Sequence, residues 1–181
     1  MRIIKILFIL LLLLMLSGCT QRSPLITYGE FPFRFVYSLN DNIYEIENTV
    51  IAAFKGIDMS GVFIGMRSWD TGLKNRTPEQ GRNYILIQEE NVYSILTPGR
   101  LNREIRIQLN VGVAAYYMGD PNSRSMLRAQ PSIVYFEVFH ESSQVTHHFA
   151  TNLTEEQLKE HFRIEVLEFS FSEPIRNSFR R

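Results

Sequence analysis

The chain has 181 residues, of which 45% are hydrophobic, and its formal net charge is zero, with 19 Lys and Arg against 19 Asp and Glu. This length suits one domain with a substantial core, and the balanced charge lacks the basic field typical of nucleic-acid binding, so we expect no nucleic-acid partner. Cys19 is the only cysteine, so the chain can form no internal disulfide and its fold must depend on packing.

The first nineteen residues have the layout of a secretory signal. Residues 1–5 carry two cations, and residues 6–16 are an unbroken apolar run that is short of the roughly 20 residues needed to span a bilayer. The run ends in Leu16-Ser17-Gly18-Cys19, which resembles the lipobox of bacterial prolipoproteins. The resemblance implies cleavage after Gly18 and a thioether from Cys19 to diacylglycerol.

The sequence divides into four predicted regions, and the resemblance covers only the first of them and the cysteine that follows. Residues 1–18 are a signal peptide with a signal helix, residues 19–28 are the lipidated cysteine and a short tether, residues 29–175 form one β-rich domain, and residues 176–181 are a basic tail. The mature chain has 17 cationic and 19 anionic residues, a formal charge of −2. Acyl chains such as palmitate on Cys19 anchor the domain outside the cytoplasm, and acylation leaves no thiol for catalysis or metal binding.

The tether limits how far the domain stands from the membrane. The eight residues 20–27 span at most roughly 26–29 Å when fully extended. Thr20 after the cysteine is, by the same family resemblance, compatible with the outer membrane of a cell that has two membranes. We therefore expect a lipid-anchored protein held close to the surface of the cell membrane.

Strand signals begin after the tether. In residues 31–39 every second side chain is aromatic or Leu, which favours a strand with one face in the core. A turn follows at residues 40–42, and residues 43–54 complete a predicted hairpin. Residues 62–69 are predicted as a strand interrupted at Gly65, and residues 70–82 as the longest loop.

The middle of the chain continues the β pattern. We predict a hairpin of residues 84–88 and 92–97 around Glu89-Glu90-Asn91, and then a strand through residues 105–111. Residues 114–118 fit either a short strand or a helical turn, and residues 119–122 fit a turn. Residues 133–140 are apolar on both faces, which favours a central strand that leads into residues 145–151.

One helix is predicted near the C-terminus. Thr154 and Gln157 fit a capping box, with Leu153 and Leu158 placed for a hydrophobic staple. Residues 163–171 form the last predicted strand, whose apolar phase switches between Val166 and Leu167 and so indicates a bulge. The fold class that follows is all-β, a mainly antiparallel sandwich or barrel with one short helix.

Histidines and carboxylates offer the first candidate chemistry. With a four-residue connection, Glu137 lies opposite His148 on a predicted hairpin, and together with His140 or His147 the two could supply zinc ligands. His147 and His148 point to opposite faces of their strand, and isolated histidines are usually structural or solvated. We therefore expect no metal and no cofactor.

Other side chains allow binding or hydrolysis. Trp69, Tyr116 and Tyr117 could form a stacking platform for sugar or peptide, although such residues more often cap a core. Six carboxylates on predicted strands could include a glycosidase pair, but alternation favours solvated outer faces; they are Glu45, Glu47, Glu104, Glu137, Glu165 and Glu168. The chain has no Gly-x-Ser-x-Gly elbow and no phosphate-binding glycine loop.

Two functions and a purely structural role remain open. The first is a non-enzymatic binding module for an envelope protein or polysaccharide, using residues 70–82 and the turn region 119–124. The second is a membrane-tethered hydrolase of an envelope polymer, with Glu137 and His148 as its His–carboxylate pair. The third is a purely structural envelope protein. The sequence favours a protein that is not an enzyme.

Overall fold

Alternating aromatic residues bury one face of the first strand, as the sequence predicts. The computed structural model describes residues 23–58, 66–77, 80–121, 129–142 and 145–177, with backbone alone for residues 140–142 and 145–147. The predicted signal peptide, Cys19 and Thr20 lie outside these ranges. Strand β1 (Tyr28–Leu39) directs Phe31, Phe33 and Phe35 into the core.

The predicted first hairpin is confirmed. Asn40 and Asp41 both take positive φ, 50° and 66°, which is the two-residue turn that suits the twist of paired strands. Residues 42–53 of β2 (Asn42–Asp58) pair with β1. On its other side, β2 pairs with β3 (Met66–Leu73).

Strand β3 extends beyond its predicted end. Residues 70–73, which we expected to begin a loop, pair with residues 50–53 of β2, and Leu73 is buried. Pairing with the long β2 therefore overrides the polar local sequence. The first sheet is completed by the last described strand, β8 (Ile164–Phe171), in the order β3-β2-β1-β8.

The second sheet corrects one prediction and confirms another. β4 (Tyr84–Tyr93) is a single strand paired with β5 (Leu101–Asn110), so the predicted hairpin around Glu89-Glu90-Asn91 is wrong. The chain instead reverses at residues 94–100, where Ser94 N donates to Arg100 O at 2.8 Å. β6 (Ser132–Ser142) lies between β5 and β7 (Val145–Asn152), which confirms a central strand in the order β4-β5-β6-β7.

Two short helices complete the described fold. The ambiguous segment is a helical turn, α1 (Ala114–Tyr117). The second helix, α2 (Glu155–Phe162), has the predicted capping box: Gln157 N donates to Thr154 Oγ1, and Thr154 N donates to Gln157 Oε1. No helix within the described residues is both long and apolar enough to cross a membrane.

The final strand contains the predicted bulge. β8 (Ile164–Phe171) pairs with β1 so that Val36 faces Glu168 and Tyr37 faces Val166, which leaves Leu167 as the additional residue. The two antiparallel sheets form an all-β sandwich. A single core cluster joins residues of both sheets with Leu158 and Phe162 of α2.

Candidate functional site

A groove of about 580 Å³ opens where β8 ends beside β1 and β2. The pairing of these strands explains how it forms, because Phe33 lies opposite both Asn48 of β2 and Phe171 of β8. Ser172 then leaves the strand and donates its backbone N–H and its hydroxyl to Pro32 O. The residues that line the groove are Pro32, Phe33, Arg34, Glu47, Asn48, Thr49, Asn75, Ser170, Phe171 and Ser172.

Aromatic rings form the apolar part of the groove. Phe33 and Phe171 are stacked, with ring centroids 4.8 Å apart and planes only 2° from parallel. Tyr84 meets Phe33 edge-on at 6.2 Å, and the Arg76 guanidinium lies 4.3 Å from the centre of the Tyr84 ring. Stacked rings have defined rotamers and bury much surface, so this part of the groove is preorganised.

A buried amide joins the groove to neighbouring segments. Asn48 Nδ2 donates to the Tyr84 hydroxyl at 2.8 Å, and Asn48 Oδ1 accepts from the backbone N–H of Thr49 at 2.8 Å and of Asn75 at 3.2 Å. Its side chain therefore holds β2, β4 and the segment after β3 together. A buried amide with these partners is stable in place, whereas an unpaired one would be costly.

The charged rim of the groove is acidic. Arg34 Nε lies 2.6 Å from Glu45 Oε1 and 3.1 Å from Glu47 Oε1, and Arg34 also pairs with Glu168. The hydrogen bond with Glu45 raises the pKa of Arg34, and the same bond lowers the pKa of Glu45. One cation thus faces three carboxylates, of which Glu47 lines the groove and Glu45 and Glu168 lie beside it. The surface around the groove therefore suits ligands that bring hydrogen-bond donors or positive charge.

The predicted pair of Glu137 and His148 is wrong. Glu137 lies opposite Phe149, and His148 lies opposite Val138, because the register shifts between His140 and Ser142. Adjacent strand positions point to opposite faces, and Glu137 is fully buried whereas His148 is exposed. The side chain of His140 lies outside the described part of the structure. Among the described residues, no group of three His, Cys, Asp or Glu side chains could hold a metal ion.

Glu137 has a structural role in the second sheet. Its carboxylate accepts hydrogen bonds from Ser94 Oγ at 2.5 Å and from the Tyr135 hydroxyl at 2.6 Å, and it pairs with Arg100. Burial alone would raise the pKa of Glu137, but these three partners outweigh it and lower the pKa. Because Ser94 Oγ also accepts from the backbone N–H of Thr97, the buried carboxylate holds the reversal at residues 94–100.

The predicted aromatic platform is divided between core and surface. Tyr117 is fully buried, stacks on Phe31 with ring centroids 4.8 Å apart, and donates its hydroxyl to Val111 O. It is therefore a core residue, and the prediction that it belongs to a binding platform is wrong. Tyr116 is half-buried and lines a smaller cavity of about 320 Å³. Trp69 is also half-buried, and its indole N–H donates to Asp120 Oδ2 at 2.8 Å.

A buried ion pair next to Trp69 has no counterpart in the sequence predictions. Arg67 holds Asp120 through two hydrogen bonds, Nε to Oδ2 at 2.9 Å and an Nη2 contact to Oδ1 at 2.6 Å. The two side chains are only 2% and 1% exposed. They are 53 positions apart in sequence, so local patterning offers no signal that would join them.

The predicted binding loop lines a cavity separate from the groove and from the cavity at Tyr116. Residues 70–73, now part of β3, enclose about 420 Å³ together with Arg76, Thr77, Gly81 and Arg82. Arg76 donates to Asn83 O at 3.0 Å and to Gln80 O at 2.6 Å, which fixes the described part of this segment. Of the predicted turn region 119–124, residues 122–124 lie outside the described residues.

Sequence reasoning did not predict the groove of β1, β2 and β8. Its closest signal is the alternation in residues 31–39, which identifies Phe33 as a core residue but not as one that borders a cavity. Asn48 and Ser170 carry no motif, and only the strand pairing brings them near Phe33. Comparison with protein-family models, curated proteins and solved structures finds no match to the chain.

Proposed function

We propose that this chain is an envelope lipoprotein, anchored through acylated Cys19, whose β-sandwich is a non-enzymatic binding module. The observation that carries the binding role is the groove of β1, β2 and β8. Its volume of about 580 Å³ falls within the roughly 300–1,000 Å³ typical of ligand sites. It combines stacked aromatic rings with amide, hydroxyl and carboxylate groups, which is the mixture such sites use to hold and orient a ligand.

The chemistry of the rim narrows the ligand class. Carboxylates in excess over Arg34 accept hydrogen bonds and repel anions. A segment of an envelope polysaccharide with free hydroxyl or amino groups fits this field, and so does a protein segment with a Lys or Arg side chain. A strongly anionic polymer does not fit it.

The state of the carboxylates supports binding over hydrolysis. A glycosidase needs one carboxylic acid whose pKa is raised so that it can donate a proton. Beside the groove, the hydrogen bond from Arg34 lowers the pKa of Glu45, and the buried Glu137 of the second sheet also has a lowered pKa. These carboxylates are ionised at neutral pH and act as hydrogen-bond acceptors.

Site-specific photo-cross-linking on intact cells tests the groove. A photoreactive residue at Ser170, within the groove, should capture a partner, whereas one at the exposed Glu160 of α2 should not. Glu47→Ala should reduce the Ser170 adduct, and Glu45→Ala is its matched control because both glutamates pair with Arg34 but only Glu47 lines the groove. Equal capture at both positions, or no capture, would contradict the groove as the binding site.

A separate experiment tests the anchor. Cells that express the chain should incorporate labelled palmitate into it, and Cys19→Ala should abolish the label and leave the signal peptide uncleaved. The reason is chemical, since the Cys19 thiol is the atom that forms the thioether, and hydrocarbon burial contributes about 0.8 kcal/mol per CH₂ to anchoring. Unchanged labelling of Cys19→Ala would show that the chain is not a lipoprotein of this type.

A further inference from the structure

The two ends of the described chain meet at one point of the sandwich. Asn177 Nδ2 donates to Ile26 O at 2.8 Å, and Ile26 N donates to Asn177 Oδ1 at 3.1 Å. This pair of hydrogen bonds joins residues 151 positions apart. A second contact holds the C-terminal segment in place, because Ile175 N donates to Tyr117 O at 2.8 Å.

The meeting point is apolar and exposed. Leu25 and Ile26 remain 51% and 42% exposed, although Ile26 is fixed by Asn177 and the preceding Pro24 is buried. Leu25 and Ile26 thus present two adjacent aliphatic side chains to solvent on a backbone that is fixed by hydrogen bonds.

The segment that carries Asn177 is basic in sequence. Arg176 is exposed and precedes Asn177 directly, and the sequence continues to Arg180 and Arg181. The mature chain as a whole carries a formal charge of −2, so this end differs in sign from the rest of the molecule. Basic residues close to a bilayer each contribute about 1 kcal/mol of attraction to anionic lipid.

The length of chain before this point limits its position. Because residues 24–27 are held against the domain, at most the four residues 20–23 separate Cys19 from the fixed backbone. Four residues span no more than roughly 13–14 Å. If Cys19 is acylated, as proposed above, the fixed backbone at residues 24–27 stays within this distance of the lipid surface.

We propose that Leu25, Ile26 and Arg176 form a membrane-contact face that seats the sandwich on a bilayer containing anionic lipid. The aliphatic side chains enter the interfacial region, Arg176 meets the headgroups, and Asn177 sets the angle between domain and bilayer by joining the two termini. The groove of β1, β2 and β8 is then presented in one fixed orientation relative to the membrane.

Fluorescence on the lipidated full-length mature protein tests this face. Since Cys19 is acylated, a new cysteine in Leu25→Cys can be labelled selectively with an environment-sensitive dye. Ile85→Cys is the matched control, because Ile85 of β4 is 52% exposed against 51% for Leu25. The proteins are reconstituted in phosphatidylcholine vesicles with and without 30% phosphatidylglycerol and quenched by spin-labelled lipid.

The expected results separate the face from the anchor. In anionic vesicles the dye at position 25 should be quenched at least threefold more than the dye at position 85, and Arg176→Glu should reduce that difference in anionic but not in neutral vesicles. Protein that co-floats with vesicles but is quenched equally at both positions would overturn the contact face while leaving the lipoprotein assignment intact. Protein that does not co-float with vesicles would overturn both.

Discussion

Removing Asp120 should destabilise the sandwich more than any single surface change. The side chain is 1% exposed, takes two hydrogen bonds from Arg67, and accepts a third from the Trp69 indole. Asp120→Ala would leave a buried guanidinium without its carboxylate, and breaking a buried ion pair in this way costs about 3–5 kcal/mol. Against a typical total of about 5–15 kcal/mol, that loss would be a large part of the stability.

Urea unfolding of the purified protein, followed by circular dichroism and by Trp69 fluorescence, measures this loss. Asp70→Ala is the matched control, because Asp70 pairs with Lys55 at 3.2 Å but is 59% exposed, and exposed pairs contribute about 0–1 kcal/mol. The double variant Arg67→Met with Asp120→Leu should lose less stability than Asp120→Ala alone, since it removes the buried guanidinium together with the carboxylate. A loss below about 1 kcal/mol for Asp120→Ala would refute this reasoning.

Three further changes test other parts of the fold. The pKa of Glu137 is lowered, so its ionised form stabilises the fold at pH values above 4.5, the ordinary pKa of a glutamate, and this contribution is lost as the pH falls. Between pH 7 and about pH 3 the wild type should therefore lose more stability in urea titrations than Glu137→Gln does. Parallel losses in the two proteins would contradict the lowered pKa of Glu137. Gly119→Ala should lower the melting temperature far more than Gly81→Ala. Both glycines have positive φ, but a Cβ at position 119 would lie 2.3 Å from Ile175 O, whereas a Cβ at position 81 would meet open space. Equal shifts in melting temperature would disprove the close approach of Gly119 to Ile175. Thr154→Ala should cost about 1 kcal/mol through loss of the capping box, measured by thermal unfolding, and an unchanged midpoint would show that the cap is dispensable.

Features encoded by a few neighbouring residues were predictable from the sequence. The turn at Asn40 and Asp41 needs residues that tolerate positive φ, and the capping box needs Thr154 and Gln157 three positions apart. The bulge at Leu167 is visible as a change in apolar phase. Each of these signals depends on local backbone geometry, so the rest of the fold is not required to interpret it.

Features that depend on a partner strand were mispredicted. Glu89-Glu90-Asn91 has the composition of a turn, and Asn91 does adopt a φ of 57°, yet β5 lies alongside and keeps β4 as one strand. The pairing of Glu137 with Phe149 depends on an irregularity between His140 and Ser142. A slip of one residue moves a side chain to the other face of the sheet, and this slip separates Glu137 from His148.

The candidate site was not predictable for a related reason. Phe33, Asn48 and Phe171 come from three strands, and sequence distance conceals that they form one row across the first sheet. The buried partners Arg67 and Asp120 are likewise remote in sequence. Motif searches detect chemistry carried on one segment, whereas these arrangements exist only after the sheets have formed.

The return of β8 to the side of β1 affects how the domain can fold. β1 is the first strand made and β8 the last, and the ion pair between Arg34 and Glu168 spans 134 positions. Until residues 164–171 arrive, β1 has an unpaired edge that can recruit other extended chains. Such non-local closure is slow compared with local pairing, so a chain that emerges N-terminus first cannot complete its first sheet until residues 164–171 have emerged.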